Sequence, residues 1–214
     1  MAERLVLAFL LAAAAVLPAS AVDSQLTLQN LCPFTVYPLV TPNDGNPAIC
    51  DNTAILEGNG RGLVSYPFPP TKWEGRVVAR IGCTSLDKCE TGMGPPATVV
   101  QLVVHSPEAG AGADLATYSV SLAAGSNVGV VVSPEFFGGG QCPVLGCPVD
   151  LNNGCPLEQQ VIGNGGGVVA CKGDEGYFKQ RCPLTRVNGT DVEPVPQNCL
   201  APGELKVVFC QTTM

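Results

Sequence analysis

Residues 26–38 read LTLQNLCPFTVYP. Two short β-type runs, Leu26-Thr27-Leu28 and Thr35-Val36-Tyr37, stand on either side of Cys32 and Pro33. Polar and apolar residues alternate in these runs, as they do in antiparallel strands that bury one face. The stretch predicts two short strands beside a cysteine, and this combination recurs along the chain.

Similar β-type runs follow between turn residues. They are Arg76–Arg80, Val99–Val104, Tyr118–Leu122, Val128–Val132 and Leu205–Phe209. The 19 prolines and 25 glycines punctuate the chain, and no amphipathic helix of ordinary length is evident. Many short strands with Gly and Pro turns favour an all-β sandwich or barrel. Residues 141–198 differ, because their Gly-, Pro- and Asn-rich loops carry five of the cysteines, which predicts a disulfide-rich lobe attached to the β core.

The amino terminus predicts secretion. Arg4 is followed by an apolar run from Leu5 to Leu17 and by Pro18-Ala19-Ser20-Ala21, the pattern of a signal peptide with its cleavage site. The run of about 13 residues is shorter than the roughly 20 that a spanning helix needs. We expect a signal peptide at 1–21 and one domain at 22–214, with its β core at 22–140 and 199–214 and its lobe at 141–198.

Cysteine usage and charge limit the compartment and the partners. All 11 cysteines lie in the expected mature part, where they indicate a disulfide framework. The formal net charge is −7, and no basic patch is present. We therefore expect neither nucleic acid nor a membrane as a partner. One histidine with bridged cysteines gives no zinc site, so we expect no metal and no cofactor.

Several segments resemble the thaumatin-like, pathogenesis-related proteins of plants, in the order and spacing of that family. They are residues 28–38, 75–83 (GRVVARIGC), 89–92 (CETG), 119–128 (SVSLAAGSNV), Cys142-x4-Cys147-x7-Cys155, Phe178-Lys179-x2-Cys182-Pro183 and Cys199-x10-Cys210. The resemblance covers nearly all of the mature part. It implies a thaumatin-like β-sandwich core with a reduced disulfide-rich lobe.

The resemblance also implies a disulfide pairing. The implied bridges are Cys32–Cys210, Cys83–Cys89, Cys142–Cys199, Cys147–Cys182 and Cys155–Cys171. The family usually has sixteen cysteines, and here its signature is interrupted at Met93 and Gly94 and its lobe is shortened between Gly173 and Gln180. Cys50 is the odd cysteine. It is either a buried or capped free thiol or one half of an intermolecular bridge.

A cleft between core and lobe is the family's functional site. In the family, one arginine, one glutamate and three aspartates line it, and it is linked to β-1,3-glucan binding. By resemblance, the arginine is Arg76, the glutamate position falls on Gln101, and the last aspartate is Asp191. The candidate positions for the other aspartates, around the central strand, are Ala116, Ser119 and Ala124. Alternatively, Arg76 pairs with a carboxylate at the strand edge.

Glycoside hydrolysis needs two carboxyl groups across a cleft. Because Gln101 cannot ionise or transfer a proton, the expectation is no catalytic residue and no glucanase activity. His105, the only histidine, is expected to be a surface residue without a third orienting group. Tyr66, Phe68 and Trp73 form either a sugar platform or the packing under a loop. The sequon Asn188-Gly189-Thr190 predicts an N-glycosylation site, occupied or not.

These observations predict a secreted, extracellular (apoplastic) or vacuolar monomer of the defence or stress-response type. It would bind a cell-wall carbohydrate such as β-glucan, or the surface of a secreted protein, without catalysis. Two alternatives stay open. One is a weak β-1,3-glucanase, and the other is an inhibitor of a secreted hydrolase.

Overall fold

The computed structural model describes residues 24–109, 114–189 and 194–213, so the predicted signal peptide and Asp191 lie outside the described residues. Within these ranges the chain forms thirteen strands, one helix and two 3₁₀ turns, at Pro107–Ala109 and Leu157–Gln159. The strands are β1 (Gln25–Asn30), β2 (Tyr37–Pro42), β3 (Gly62–Pro67), β4 (Trp73–Arg80), β5 (Val99–Ser106), β6 (Leu115–Ser121), β7 (Val130–Glu135), β8 (Gly139–Gln141), β9 (Leu145–Cys147), β10 (Gln160–Ile162), β11 (Val168–Cys171), β12 (Asn198–Leu200) and β13 (Glu204–Phe209), and the helix is α1 (Glu175–Arg181). The expected all-β class is confirmed.

Two sheets form the sandwich. One has the strand order β3-β1-β13-β7-β9, and the other has the order β2-β4-β5-β6-β12-β8. One continuous cluster of buried side chains draws on both sheets, with Leu28 and Phe209 from the first and Val77, Leu102 and Val120 from the second. Burying these side chains is the main favourable term that holds the sheets together.

Strand β4 shows how the sequence assigns the two faces of the six-stranded sheet. Gly75, Val77 and Ala79 are buried against the core, whereas Glu74 and Arg76 point to the opposite face and are partly or fully exposed. This is the period-two alternation of a strand with one buried face. Arg76 therefore lies on the outer face of the sheet, away from the sandwich core.

Arg80 is an exception on that outer face, because it is only 4% exposed. Its Nε donates to the carbonyl of Tyr37 (3.1 Å) and its Nη1 to that of Leu86 (2.7 Å). Its Nη2 donates to the carbonyls of Pro38 and Asn52, each at 3.0 Å. The guanidinium thus joins strand β2 to two loops, and its burial lowers the pKa of Arg80 from the usual value.

The lobe has its own small core. Leu151, Tyr177, Phe178 and Val187 pack there with four bridged cysteines and with Leu122 from the end of β6. Helix α1 starts at Asp174, whose carboxylate accepts from the backbone N–H of Tyr177 at 2.7 Å and so caps the helix. The predicted lobe range, 141–198, also contains β9, which pairs with β7 of the five-stranded sheet.

Five disulfides are present, in the pairs that the resemblance implies. They are Cys32–Cys210, Cys83–Cys89, Cys142–Cys199, Cys147–Cys182 and Cys155–Cys171. Cys32–Cys210 joins the ends of β1 and β13, which also pair in parallel. In the part of the chain that the structure describes, Cys50 is the one cysteine outside a disulfide, and no helix has the length and apolar character to cross a membrane.

Candidate functional site

A row of polar side chains crosses four adjacent strands on the outer face of the six-stranded sheet. Thr41 of β2 pairs with Arg76 of β4, Arg76 pairs with Gln101 of β5, and Gln101 pairs with Ser119 of β6. Neighbouring strands lie roughly 4.8 Å apart, so three steps span about 14 Å. We call these four residues the polar row.

The polar row has donor and acceptor atoms that face the solvent. The Ser119 hydroxyl donates to Gln101 Oε1 at 3.5 Å, while Gln101 and Arg76 are exposed. Two concavities lie beside Arg76. One, of about 250 Å³, is lined by Thr41, Arg76, Met93 and Ala124 among others, and the second, of about 380 Å³, is lined by Thr41, Arg76, and residues 42–44. Ligand groups can therefore approach the guanidinium from two sides.

The predicted cleft positions are only partly brought together. Arg76, Gln101 and Ser119 are in register, and Ala124 shares a concavity with Arg76. Ala116 is fully buried in the sandwich core and pairs with Cys199, so its assignment to the cleft is wrong. It is three residues from Ser119 on a strand, and an odd separation puts the two side chains on opposite faces.

The carboxylate nearest to Arg76 along β4 is already neutralised. Glu74 Oε1 lies 2.7 Å from Lys72 Nζ, and Asn43 Nδ2 donates to Glu74 Oε2 at 3.4 Å. The hydrogen bond from Lys72 lowers the pKa of Glu74, and the same contact raises the pKa of Lys72. Glu74 is therefore a paired anion on this face.

The aromatic residues near β3 and β4 pack in the core. Trp73 is fully buried, its ring centroid lies 5.3 Å from that of Phe68, and its Nε1 donates to the carbonyl of Pro47 at 2.9 Å. Tyr66 is partly buried against the same cluster. Of the two interpretations of these side chains, the packing interpretation is therefore confirmed, and the sugar platform is wrong.

His105 corrects a prediction, because it is not a free surface residue. Its side chain is 19% exposed, its Nδ1 lies 2.8 Å from Asp114 Oδ2, and its Nε2 lies 2.8 Å from Ser24 Oγ. The order of atoms matches a hydrolytic triad. However, Ser24 is only 7% exposed, and the N–H of the next residue, Gln25, donates to the carbonyl of Gly203 at 3.1 Å, so it is not free to stabilise an oxyanion. We call these three residues the clasp, because their hydrogen bonds join the start of β1 to the end of β5 and to Asp114, just before β6.

Cys50 is half-buried beside the sandwich core. Its Sγ lies 3.5 Å from Asn52 Oδ1, and burial raises the pKa of the Cys50 thiol above the usual value. A raised pKa leaves less thiolate, the form that reacts. The intermolecular bridge considered for this cysteine stays a prediction.

The glycosylation prediction also stays open. Asn188 Nδ2 donates to Glu175 Oε2 at 3.1 Å at the edge of a concavity of about 400 Å³, and Thr190 of the sequon lies outside the described residues.

A larger cavity escaped the sequence analysis. It measures about 560 Å³ and is lined by Leu31, Phe34, Asn127, Val149 and Asp150 among others. These residues come from segments that are far apart along the chain, so no local pattern indicates their association. The cavity is a concave surface separate from the polar row.

Comparisons with known proteins agree with the fold. A model of the thaumatin family matches residues 30–176. The osmotin-like protein of Solanum lycopersicum is 34% identical over 86% of this chain and 88% of its own length. Thaumatin-like protein 1 of Prunus persica is 31% identical over 70% of this chain and 64% of its own length. A glucan endo-1,3-beta-glucosidase of Prunus avium is 31% identical over 68% of this chain and 63% of its own length.

The match to the family model extends over more than half of the chain and includes all four strands of the polar row, β2, β4, β5 and β6. Sequence, architecture and disulfide pairing agree on one assignment: this chain belongs to the thaumatin family.

Proposed function

We propose that this protein is a secreted, non-catalytic defence or stress-response protein that binds a carbohydrate through the polar row. The observation that carries the proposal is the composition of the row. Thr41, Arg76 and Gln101 offer hydroxyl, guanidinium and amide groups at in-register positions, and the row, which ends at the buried Ser119, contains no carboxylate.

Binding is supported by the hydrogen-bonding chemistry of these groups. A hydroxyl and an amide each both donate and accept, as the hydroxyls of a sugar do. The accessible part of the row, from Thr41 to Gln101, is about 10 Å long, which suits a short stretch of an extended oligosaccharide lying across the strands. Because the groups lie on a sheet that is packed and cross-linked from behind, they are pre-positioned, which lowers the entropy lost on binding.

The absence of catalysis is inferred from the same residues. A glycosidase needs one carboxyl group as acid and a second as base or nucleophile. Gln101 and Ser119 occupy the row where two of the family's carboxylates would stand, and Ala124 lines the concavity beside Arg76. Asp191 alone would leave one of the two roles unfilled.

The test combines binding with hydrolysis. The purified secreted protein is incubated with insoluble β-1,3-glucan, the bound fraction is measured by sedimentation, and released reducing sugar is measured in the supernatant. We expect retention on the glucan, weakened in a Gln101→Ala variant, with no reducing sugar above the buffer control. The matched control is Glu57→Ala, an exposed change near β3 of the other sheet.

One relative favours a second candidate, a weak β-1,3-glucanase, because it is named a glucan endo-1,3-beta-glucosidase. Reducing sugar that the wild-type protein releases and an Asp191→Ala variant does not release would establish this candidate and refute the non-catalytic proposal. Retention of the protein without release of sugar would refute the candidate.

Secretion is part of the proposal and rests on two features. The amino terminus has the pattern of a signal peptide, and ten cysteines are paired in five disulfides, which persist in oxidising compartments. Sequencing the amino terminus of the mature protein tests it, with Val22 expected as the first residue.

A further inference from the structure

Arg76 is the arginine of the described chain that has no partner. Every other described arginine is engaged, namely Arg61 with Glu57 at 3.7 Å, Arg80 with four carbonyls, Arg181 over the Tyr177 ring at 4.0 Å, and Arg186 with a partner in the same chain. Arg76 is exposed and makes no ion pair or hydrogen bond among the described residues. Among the described residues, the polar row therefore has one formal charge, a cation without a counter-ion.

The described carboxylates around Arg76 do not neutralise it. Glu74, two residues away on the same face, is held by Lys72 at 2.7 Å. Asp44 lines one of the two concavities with Arg76 but forms no ion pair with it. The other concavity has Ala124 and Met93 in its lining and no acidic residue. Among the described residues, no carboxylate lines this second approach to the guanidinium, so an anionic ligand group can reach it there.

We propose that Arg76 makes the polar row selective for an acidic glycan, one that contains uronic acid residues, over a neutral glycan. The carboxylate of a uronic acid binds the Arg76 guanidinium, and the hydroxyls of the flanking sugars contact Gln101 on one side and Thr41 on the other. This inference rests on the proposed function, because it assumes that the polar row binds a carbohydrate.

The chemistry of arginine suits a carboxylate. The guanidinium is planar and presents paired N–H donors, which match the two oxygens of a carboxylate. Such charge-assisted bonds are roughly twice as strong as the neutral hydrogen bonds that sugar hydroxyls offer. At this one position a uronic acid therefore binds more tightly than the corresponding neutral sugar. The other residues of the row bind the two sugars equally well.

The net charge of −7 repels a polyanion, but this repulsion acts over longer distances than the contact with Arg76. At physiological ionic strength the screening length is about 8 Å, so most of the surface charge is screened from a ligand seated at Arg76. The local contact then decides the preference, and added salt weakens it. The acidic surface acts mainly by slowing association.

The test uses one polymer in two charge states. Polygalacturonate and its fully methyl-esterified form have the same sugar backbone, and the esterified form lacks the carboxylates. Laminarin, a neutral β-1,3-glucan, is the third probe. Affinities are measured by affinity electrophoresis or calorimetry at about 0.15 M ionic strength and again at higher salt. We expect polygalacturonate to bind about tenfold more tightly than its methyl ester, with the ratio falling as salt rises.

Three variants assign the effect to the residue. Arg76→Gln removes the charge but keeps an amide, and we expect its ratio to fall to about one. Arg76→Lys keeps the charge without the planar pair of donors, and we expect an intermediate ratio. Arg61→Gln, an exposed change at an ion pair near the other sheet, should leave the ratio at the wild-type value. A thermal melt of each variant checks folding, which an exposed substitution should leave unchanged.

The possible results distinguish failure of the inference from failure of the proposed function. Equal binding of the acid and the ester by the wild-type protein overturns the inference, and so does a tenfold ratio that survives in Arg76→Gln. Binding of laminarin without binding of polygalacturonate overturns the inference and leaves the proposed function standing. If none of the three polymers binds, the proposed function fails and the inference fails with it.

Discussion

The stabilising effect of each disulfide should follow the length of chain that it closes. Cys32–Cys210 closes 178 residues, whereas Cys83–Cys89 closes only 6. In the chain-entropy treatment, the unfolded state loses freedom as the logarithm of loop length, which gives about 5 kcal/mol for the long loop and about 2 kcal/mol for the short one. Replacing each pair by alanines should therefore lower the free energy of unfolding, and the two losses should differ by about 3 kcal/mol.

Urea unfolding of the oxidised protein measures the two costs. The variant without the long-loop bridge should show the lower midpoint, and its m-value should rise, because its unfolded chain is more expanded and exposes more surface. A loss of about 5 kcal/mol is comparable to the whole net stability of a domain, about 5–15 kcal/mol, so the measurement is made at low temperature as well.

A third bridge supplies a matched control of intermediate length. Cys142–Cys199 closes 57 residues and should contribute about 4 kcal/mol in the same treatment. The three losses should therefore rank by loop length. Equal losses for all three pairs, or the largest loss at the 6-residue loop, would refute the reasoning and point to native-state packing around the bridges instead.

Four further predictions concern single residues. Arg80→Met should destabilise the protein by about 3 kcal/mol or more in urea unfolding, because four carbonyls lose a charged donor. Arg80→Lys should lose less stability, because the lysine still reaches some of these carbonyls. A change below about 1 kcal/mol in Arg80→Met would contradict the role given to this guanidinium. His105→Phe should lower the stability by about 1–3 kcal/mol, because it leaves Ser24 and Asp114 without their hydrogen-bond partner. A fluorophosphonate should not label Ser24 in the wild-type protein. Labelling of Ser24, detected by peptide mass spectrometry, would contradict a purely structural role for these residues. The rate of Cys50 alkylation by iodoacetamide should keep rising to a higher pH than the rate for free cysteine, because burial raises the pKa of this thiol. A rate profile whose midpoint lies at or below that of free cysteine would contradict this expectation. Cys50→Ser is the control and should show no reaction. Deglycosylation should reduce the mass of the secreted protein, and Asn188→Gln should abolish the shift; equal masses before and after treatment would show an unoccupied sequon.

The sequence predicted those parts of the fold that depend on local patterns. In β4, alternation of Gly75, Val77 and Ala79 with Glu74 and Arg76 is a property of eight consecutive residues, and it places the strand and its two faces. The strands β8 and β12 have three residues each and pair across about 60 positions, for instance Gly140 with Cys199. Such short strands exist because a distant partner is present, so no local pattern predicts them.

The candidate site divides in the same way. Resemblance supplied Arg76 and Gln101, and strand pairing then placed them side by side. It also misplaced Ala116, because a position taken from a family pattern does not state which face of a strand the side chain occupies. The contact between Ser24 and His105 joins residues 81 positions apart, and it was missed because a hydrogen bond of this range leaves no trace in composition or spacing.

The position of the polar row explains how a family member can keep its fold while changing its chemistry. Core side chains such as Val77, Leu102 and Val120 hold the two sheets together, and a polar or larger residue there would cost several kcal/mol. Gln101 and Arg76 point away from that core and are exposed, so exchanging a carboxylate for an amide at such a position leaves the packing intact. Stability therefore constrains one face of each strand and ligand chemistry constrains the other. It follows that agreement of the disulfides and the core with the family carries no information about hydrolysis, and that the proposed ligand has to be tested at Arg76 and its neighbours.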